Sequence, residues 1–268
     1  MADQTSFNGL FSIAGKTALV TGATAGIGEM LARGLAEAGA SVIICSRKAD
    51  AVERVVAELE ELGHCIGVAA DLADPAGIEV LGATVEKHGD PLHLLINNAG
   101  ATWGAPLEEY PDAAFDKVLA LNVRSAFRLT VRLLPALRAA ASPADPARVI
   151  NIGSIEGTQV PTWENYAYPA SKAALQMLTR QLAGRLASEA ITVNTIAPGP
   201  FPSRMISFAQ EDPAGWEDIE RSIPLGRAGR PADVVGAAIY LASPAGAYIT
   251  AATLPVDGGL AGVGTTNR

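Results

Sequence analysis

Short apolar runs alternate with longer, helix-length segments along the whole chain. Several of the short runs are apolar throughout, as strands covered on both faces of a sheet must be. The runs predicted as strands are Thr17–Thr21, Ser41–Cys45, Cys65–Ala69, His93–Asn97, Arg148–Gly153, Ile191–Ala197 and Thr253–Val256. The segments predicted as helices lie near residues 26–38, 49–62, 75–88, 112–140, 165–188 and 231–242. Seven strands with six crossovers predict an α/β fold: a single-domain Rossmann fold with a doubly wound, seven-stranded parallel sheet and helices on both faces.

Length and composition are consistent with one folded domain over residues 1–268. No internal repeat, low-complexity tract or long linker divides the chain. With 49% hydrophobic and 18% charged residues, the sequence is too apolar to be disordered. The formal net charge of −8 argues against nucleic acid and anionic membranes as partners, because both require a basic face.

The sequence also predicts a cytoplasmic protein without metal. No apolar stretch reaches the roughly 18 residues of a membrane span. The first residues lack the basic region and the apolar run of a signal peptide. Cys45 and Cys65 form no CxxC pair, so we predict no Cys-based zinc site and interpret both as buried thiols in a reducing compartment.

Residues 198–230 interrupt the alternation of strands and helices. This segment contains five prolines and several large apolar side chains. A connection of this length in a compact domain is usually functional. We therefore predict a substrate-binding lid with an apolar underside, the alternative being a fixed packing loop.

The first predicted strand runs directly into a glycine-rich turn and then into a helix. Gly22 permits the tight turn, and Gly26 and Gly28 let the backbone approach a ligand closely. The following helix presents free N–H groups, which bind a pyrophosphate well. Because this turn lies at the first strand–helix junction, nucleotide binding is favoured over a purely structural turn.

The glycine spacing and the motifs after it resemble the classical short-chain dehydrogenase/reductase family. The resemblance runs from about Phe11 to Gly259, and its motifs occur in the family's order. They are GxxxGxG at residues 22–28, Asp71 after strand three, Asn97-Asn98-Ala99-Gly100 after strand four, Asn122, Ser154 after strand five, Tyr168-Pro-Ala-Ser-Lys172, and Pro198-Gly199 after strand six. This resemblance implies an NADP-binding Rossmann domain that acts as an oxidoreductase on CH–OH groups.

Four residues are the predicted catalytic set. Tyr168 and Lys172 are four apart on a predicted helix and share a face. A free tyrosine has a pKa near 10, and a neighbouring ammonium group is expected to lower it. Ser154 can hydrogen-bond a substrate carbonyl oxygen, and the resemblance implies that Asn122 holds a water linked to Lys172. Tyr166 lies on a different face from Lys172 and is interpreted as a pocket residue.

The cofactor is predicted to be NADP(H). Eighteen residues past Gly28 stand Ser46, Arg47 and Lys48, where an NAD-binding chain would carry an acidic residue. One hydroxyl and two cations can hold a 2′-phosphate, although Ala25 stands where many NADP-dependent relatives have a basic residue. The predicted cofactor-binding residues are Gly22, Thr24, Gly26, Ile27, Gly28, Ser46, Arg47, Asp71, Leu72, Asn98, Gly100, Tyr168, Lys172, Pro198, Gly199, Phe201 and Ser203.

The substrate is less closely defined by the sequence. Large side chains in loops near the reacting carbon predict a roomy apolar pocket: Trp103, Trp163, Tyr166, Phe201, Met205, Ile206 and Phe208. Residues 98–105 and 198–205 resemble the 3-oxoacyl-thioester reductase branch, which implies a carbonyl substrate, carried by CoA or a carrier protein in that branch. Reduction of a sugar, a steroid or a cyclic ketone stays open, and so does a non-catalytic NADP-binding regulator. The family resemblance implies a homotetramer, with residues 112–140 as a plausible interface.

Overall fold

The computed structural model describes residues 7–203 and 213–264. Its central feature is one parallel sheet with the strand order β3-β2-β1-β4-β5-β6-β7. The strands are β1 Thr17–Thr21, β2 Ser41–Ser46, β3 Cys65–Ala69, β4 Leu94–Asn97, β5 Ala147–Ile152, β6 Ile191–Pro198 and β7 Thr253–Val256. The predicted seven-stranded parallel sheet is therefore confirmed, and the strand ends differ from the prediction by one residue at most.

Helices follow the strands at nearly the predicted places. They are α1 Gly26–Glu37, α2 Ala49–Glu60, α3 Pro75–His88, α4 Asp112–Leu119, α5 Ser125–Ala140, α6 Ala167–Leu186, α7 Pro213–Ser222 and α8 Pro231–Ala242. The region predicted as one helix over residues 112–140 is interrupted, because a π-helical segment, Ala120–Arg124, joins α4 to α5. Among residues 7–203 and 213–264, no helix has both the length and the apolarity needed to cross a bilayer.

The core forms two apolar layers, one on each face of the sheet. Leu19 and Ile43 point into the layer made with α3, α5 and α6, whereas their neighbours Val20 and Ile44 point into the layer made with α1, α2 and α8. Successive side chains of a strand face opposite sides. Strands between two helical layers must therefore be apolar at every position, which explains the unbroken apolar runs.

Helix α8 begins at a capping interaction centred on Asp233. The Asp233 carboxylate accepts a hydrogen bond from the backbone N–H of Arg230 (2.7 Å) and two from the Arg227 guanidinium (2.7 and 3.0 Å). Arg227, and then the Arg230 N–H, lower the pKa of Asp233 to about 2. The ionised carboxylate therefore stabilises the start of α8, which packs on one face of the sheet.

The Asp233→Ala variant should lower the free energy of unfolding by about 1 kcal/mol at neutral pH, the usual cost of losing such a cap. Because folding lowers this pKa, the stabilisation is full above the ordinary value of 3.8 and is lost as pH falls toward 2. Urea unfolding of both proteins across this pH range measures the difference. Asp218→Ala, which removes an exposed carboxylate paired with Arg221, should change stability by less than about 0.5 kcal/mol. A loss that does not depend on pH would contradict the electrostatic explanation.

Candidate active site

The four predicted catalytic residues lie together at the carboxyl edge of the sheet. Ser154 follows β5 directly, Tyr168 and Lys172 lie in the first turns of α6, and Asn122 lies in the π-helical segment. The Tyr168 hydroxyl shares a hydrogen bond with the Ser154 hydroxyl. Lys172 Nζ lies 5.4 Å from the centroid of the Tyr168 ring. The carboxyl edge is where open α/β sheets bind their ligands.

Tyr168 has a higher pKa than an ordinary tyrosine. Burial first and the charge of Glu156 second raise it to about 12, against the opposing effect of the hydrogen bond with Ser154. The sequence predicted a lowered value from the neighbouring Lys172, and the surrounding residues of the protein produce the reverse. Tyr168 therefore keeps its proton at neutral pH, which suits a group that donates a proton.

Lys172 is buried and anchored by the backbone of the central sheet. Its side chain is 3% exposed, and Nζ donates a hydrogen bond to the carbonyl oxygen of Ile152 (2.8 Å). Burial lowers the pKa of Lys172 to about 8, whereas the charge of Glu156 opposes that shift. The ammonium group is thus fixed beside Tyr168 and titrates close to neutral pH.

Asn122 links the loop after β4 to helix α6. Its Oδ1 accepts a hydrogen bond from the Ala101 N–H (2.8 Å), and its Nδ2 donates to the Ala101 carbonyl (2.9 Å) and to Ser171 Oγ (2.9 Å). A Cβ built on Gly100 would lie 3.3 Å from Asn122 Oδ1 and 3.7 Å from Lys172 Nζ. The π-helical segment, a feature frequent at functional sites, brings Asn122 into this position.

The Ser154 hydroxyl is oriented by the backbone that follows it. Ser154 Oγ accepts a hydrogen bond from the Glu156 N–H (3.1 Å), and the Ser154 carbonyl accepts one from Gln176 Nε2 (3.0 Å). Because Oγ already accepts a bond, its own hydrogen can be directed toward a carbonyl oxygen of a substrate. This arrangement holds Ser154 next to Tyr168.

The glycines of the glycine-rich turn let it pack tightly against the loop after β4. Gly22 has φ +65, and a Cβ there would lie 2.9 Å from the Cα of Ala99. A Cβ on Gly28 would lie 2.3 Å from Asn98 Nδ2, whose hydrogen bonds to the carbonyls of Thr21 and Gly22 fix the turn. The N-cap residue Ala25 supplies no side-chain cap. The first amides of α1 are therefore available to an anion.

The end of β2 presents the predicted phosphate-binding residues at the same edge. Thr24 Oγ1 donates a hydrogen bond to Ser46 Oγ (2.8 Å), and Arg47 is exposed. A further cation, which the sequence analysis did not identify, lies beside them. Arg54 donates a hydrogen bond to the Thr24 carbonyl (3.3 Å), next to the position where Ala25 replaces a basic residue.

Comparison with known proteins identifies the family. A family model described as enoyl-(acyl carrier protein) reductase matches residues 22–261. The chain is 49% identical to the rhamnolipids biosynthesis 3-oxoacyl-[acyl-carrier-protein] reductase of Pseudomonas aeruginosa, over 93% of this chain and 97% of that protein. The chain belongs to the short-chain dehydrogenase/reductase family.

Two further relatives show the range of this oxidoreductase family. The structure described as a Pseudomonas aeruginosa RhlG/NADP active-site complex has a TM-score of 0.92 and 48% identity, over 94% of this chain and 99% of that one. Galactitol 2-dehydrogenase (L-tagatose-forming) of Cereibacter sphaeroides is 35% identical, over 93% of this chain and 96% of that protein. Similarity to this chain thus extends to proteins that are named for very different substrates.

The other predicted cofactor-binding residues of this short-chain dehydrogenase/reductase also border the carboxyl edge. Asp71 and Leu72 follow β3, and Asp71 is exposed whereas Leu72 is buried. Pro198 ends β6, Gly199 follows it, and a Cβ on Gly26 would lie 3.1 Å from the Cβ of Ser203. Ser203 therefore lies next to the glycine-rich turn.

Phe201 differs from its prediction as a pocket and cofactor-binding residue. Its side chain is 2% exposed and packs in the apolar layer with α1 and α8. A Cβ on Gly229 would lie 2.3 Å from the Phe201 ring, so the glycine leaves the space that the ring fills. The Phe201 side chain is therefore part of the core, and only its backbone can face a ligand. The predicted pocket residues Met205, Ile206 and Phe208 lie outside the described residues.

Glu156 is the main residue of the site that the sequence analysis missed. It lies two residues after Ser154, in the turn Ile155–Gly157. Its Oε2 accepts a hydrogen bond from Asn165 Nδ2 (2.9 Å), and its carboxylate also accepts one from the Trp163 side chain. Its charge acts on both Tyr168 and Lys172. The only signal in the sequence was an acidic residue close to the serine motif.

Proposed function

We propose that this chain is an NADPH-dependent ketoreductase that acts on 3-oxoacyl thioesters. The observation that carries the proposal is the assembly of Asn122, Ser154, Tyr168 and Lys172 beside the uncapped start of α1. All four lie at the carboxyl edge of the parallel sheet, the edge at which open α/β sheets bind their ligands. A pure NADP-binding regulator would have no use for the Tyr168–Lys172 pair.

The residues present fit NADP(H). The uncapped amides at the start of α1 suit a pyrophosphate, and Ser46 with Arg47 suits a ribose 2′-phosphate. Arg54 lies beside Thr24, next to the position where Ala25 has no charge, and its guanidinium is paired with Glu58 (2.7 Å) and Glu29 (3.4 Å). When bound, NADPH supplies a hydride from C4 of its nicotinamide to the carbonyl carbon of the substrate. The relative whose structure is described as an NADP complex supports this cofactor.

Residues of the chain then supply the proton that the carbonyl oxygen takes up during the reduction. Tyr168 donates its proton to the carbonyl oxygen, and its raised pKa keeps that proton available at neutral pH. Ser154 donates a hydrogen bond to the same oxygen as negative charge develops there. The Lys172 ammonium stabilises the phenolate that remains, and by the family resemblance it would hold the nicotinamide ribose. Asn122 holds the loop after β4 against α6, and the same resemblance implies that it would hold a water that returns the proton through Lys172.

The choice of a 3-oxoacyl thioester rests on relatedness and on the pocket. The chain is 49% identical to a protein named as a 3-oxoacyl-[acyl-carrier-protein] reductase. Trp103 and Trp163 are exposed apolar side chains near the site. A carrier- or CoA-linked acyl chain can bind along such side chains. The second candidate is a neutral polyol or sugar, which the 35% identity to galactitol 2-dehydrogenase favours.

A panel of ketones, followed by the decrease of NADPH absorbance, tests this proposal. We expect the 3-oxoacyl thioester and its neutral ester analogues to give a kcat/KM at least about 10-fold above those of L-tagatose and of a cyclic ketone. Each substrate should be measured at several concentrations, so that KM and kcat are separated. A higher kcat/KM on L-tagatose would favour the second candidate, and no oxidation of NADPH with any ketone would contradict the ketoreductase proposal.

We propose that the protein is a homotetramer in the cytoplasm, as the sequence predicts. Exposed apolar side chains on α4, α5 and α6 support an interface with further copies of the chain: Phe115, Phe127, Val131 and Met177. The single domain over residues 1–268 and the lid over residues 198–230 stay predictions, because residues 204–212 lie outside the described residues.

A further inference from the structure

We infer that Glu156 is a specificity-determining residue, which excludes ketones that carry a free carboxylate beside the reacting carbonyl. This inference rests on the proposed ketoreductase function and makes its substrate class narrower. The active site is then selective for neutral 3-oxo compounds, such as esters and thioesters, and it discriminates against 3-oxo acids.

The position of Glu156 is tied to the catalytic serine. The backbone N–H of Glu156 donates a hydrogen bond to Ser154 Oγ (3.1 Å). The backbone of Glu156 therefore contacts the hydroxyl that would bind the carbonyl oxygen of the substrate. The Glu156 carboxylate interacts electrostatically with Tyr168 and Lys172 of α6. Among the described residues of α6, Tyr168 and Lys172 are the charged or titratable groups that face the Glu156 carboxylate. A negative charge therefore lies beside the place where the carbonyl is reduced.

Burial raises the pKa of Glu156, and the partners of its carboxylate oppose that rise. Asn165 Nδ2 (2.9 Å) and the Trp163 indole N–H donate to it, and the Lys172 ammonium attracts it. Each of these interactions favours the charged form and opposes the rise in the pKa of Glu156 that burial causes. The carboxylate has no basic side chain in direct ion-pair contact among the described residues, so its charge is still felt by a bound substrate.

A second acceptor adds to the negative character of this side. Asn165 Oδ1 is buried and, within residues 7–203 and 213–264, has no hydrogen-bond partner. Because this oxygen is buried, it does not contact a substrate directly; its partial negative charge adds to the charge of Glu156, to which Asn165 Nδ2 is hydrogen-bonded. Such a surface tolerates a neutral ester or an N–H or O–H donor, and it repels a carboxylate through like charge and desolvation.

The test compares two substrates that differ in charge beside the same ketone, acetoacetate and ethyl acetoacetate. The measured quantity is the ratio of their kcat/KM values with NADPH, acetoacetate over ester. The Glu156→Gln variant keeps an oxygen that can accept from Asn165 and removes the charge. We expect this ratio to rise about 10-fold at pH 7.5, the size expected for like charges a few ångströms apart in a partly screened site.

The ratio separates charge from structural damage, because any general loss of activity in Glu156→Gln affects both substrates. Glu164→Gln is the matched control. Glu164 is exposed and accepts a hydrogen bond from the Tyr166 hydroxyl. The ratio of the two kcat/KM values in Glu164→Gln should therefore differ from the wild-type ratio by less than about twofold. A ratio in Glu156→Gln within about twofold of the wild-type value would overturn the inference and leave Glu156 with a purely structural role.

The wild-type protein provides a measurement that does not depend on any variant folding. Acetoacetate stays ionised between about pH 5.5 and 8, as ordinary carboxylic acids do. In the wild-type protein at pH 7.5, the kcat/KM of ethyl acetoacetate should therefore exceed that of acetoacetate by about 10-fold or more. A kcat/KM for acetoacetate equal to that of the ester, or above it, would overturn the inference. If neither substrate is reduced, while the other ketones of the panel also fail, the proposed function itself is wrong.

Discussion

The Tyr168→Phe variant should lose about 10²- to 10⁴-fold in kcat for carbonyl reduction, the usual contribution of a positioned general acid. The variant removes one hydroxyl from a side chain that lies against Ser154 and Lys172. Its ring and the backbone of α6 stay in place, so the affinity for NADPH should change less than about threefold. Steady-state kinetics on a good substrate and a fluorescence titration with NADPH measure the two quantities.

Tyr166→Phe is the matched control for this prediction. The Tyr166 hydroxyl donates to Glu164 Oε1 (3.0 Å), and the ring is exposed and stacks edge-on against Tyr110. Removing this hydroxyl should therefore lower kcat by only a few-fold, about the effect of one exposed hydrogen bond. Near wild-type turnover in Tyr168→Phe, or equal losses in the two variants, would show that Tyr168 is not the proton donor.

The fold was predictable because its strands carry a strong and simple signal. Leu19 and Val20, or Ile43 and Ile44, are adjacent in the chain and face opposite apolar layers. When both positions are apolar, the sequence indicates that other elements cover both faces of the strand. The π-helical segment Ala120–Arg124 had no such signal, since its residues are compatible with an ordinary helix.

The features of the site that the sequence analysis missed depend on contacts between distant residues. Phe201 is an aromatic residue in a proline-rich loop and was predicted to line the pocket, but Gly229, far along the chain, leaves room for its ring in the core. Glu156 was overlooked because Asn165 and Trp163 reach it only in the folded chain. Burial, together with the charge of Glu156, reverses the expected shift of Tyr168 and raises its pKa.

The Arg47→Ala variant should weaken NADPH binding by about 10- to 150-fold. A charge-assisted hydrogen bond contributes about 1.5–3 kcal/mol, and Arg47 is the exposed cation at the end of β2 that suits the 2′-phosphate. NADH has no such phosphate, so its Kd should change less than about twofold. Binding of both cofactors to wild type and variant, measured at one salt concentration, gives the ratio that decides the prediction.

Adding Ser46→Asp to Arg47→Ala should invert the preference toward NADH. Ser46 Oγ is 2.8 Å from Thr24 Oγ1 at the end of β2, so a carboxylate there would bind a ribose 2′-hydroxyl and repel a 2′-phosphate. Arg138→Ala is the control for loss of a cation, because Arg138 pairs with Glu189 just before β6, at the opposite edge of the sheet. It should leave the ratio of the two Kd values unchanged. Equal weakening of NADPH and NADH by Arg47→Ala would instead identify Arg47 as a structural residue, and the 2′-phosphate would then have to be bound by Lys48 or by Arg54, whose guanidinium donates to the Thr24 carbonyl at 3.3 Å.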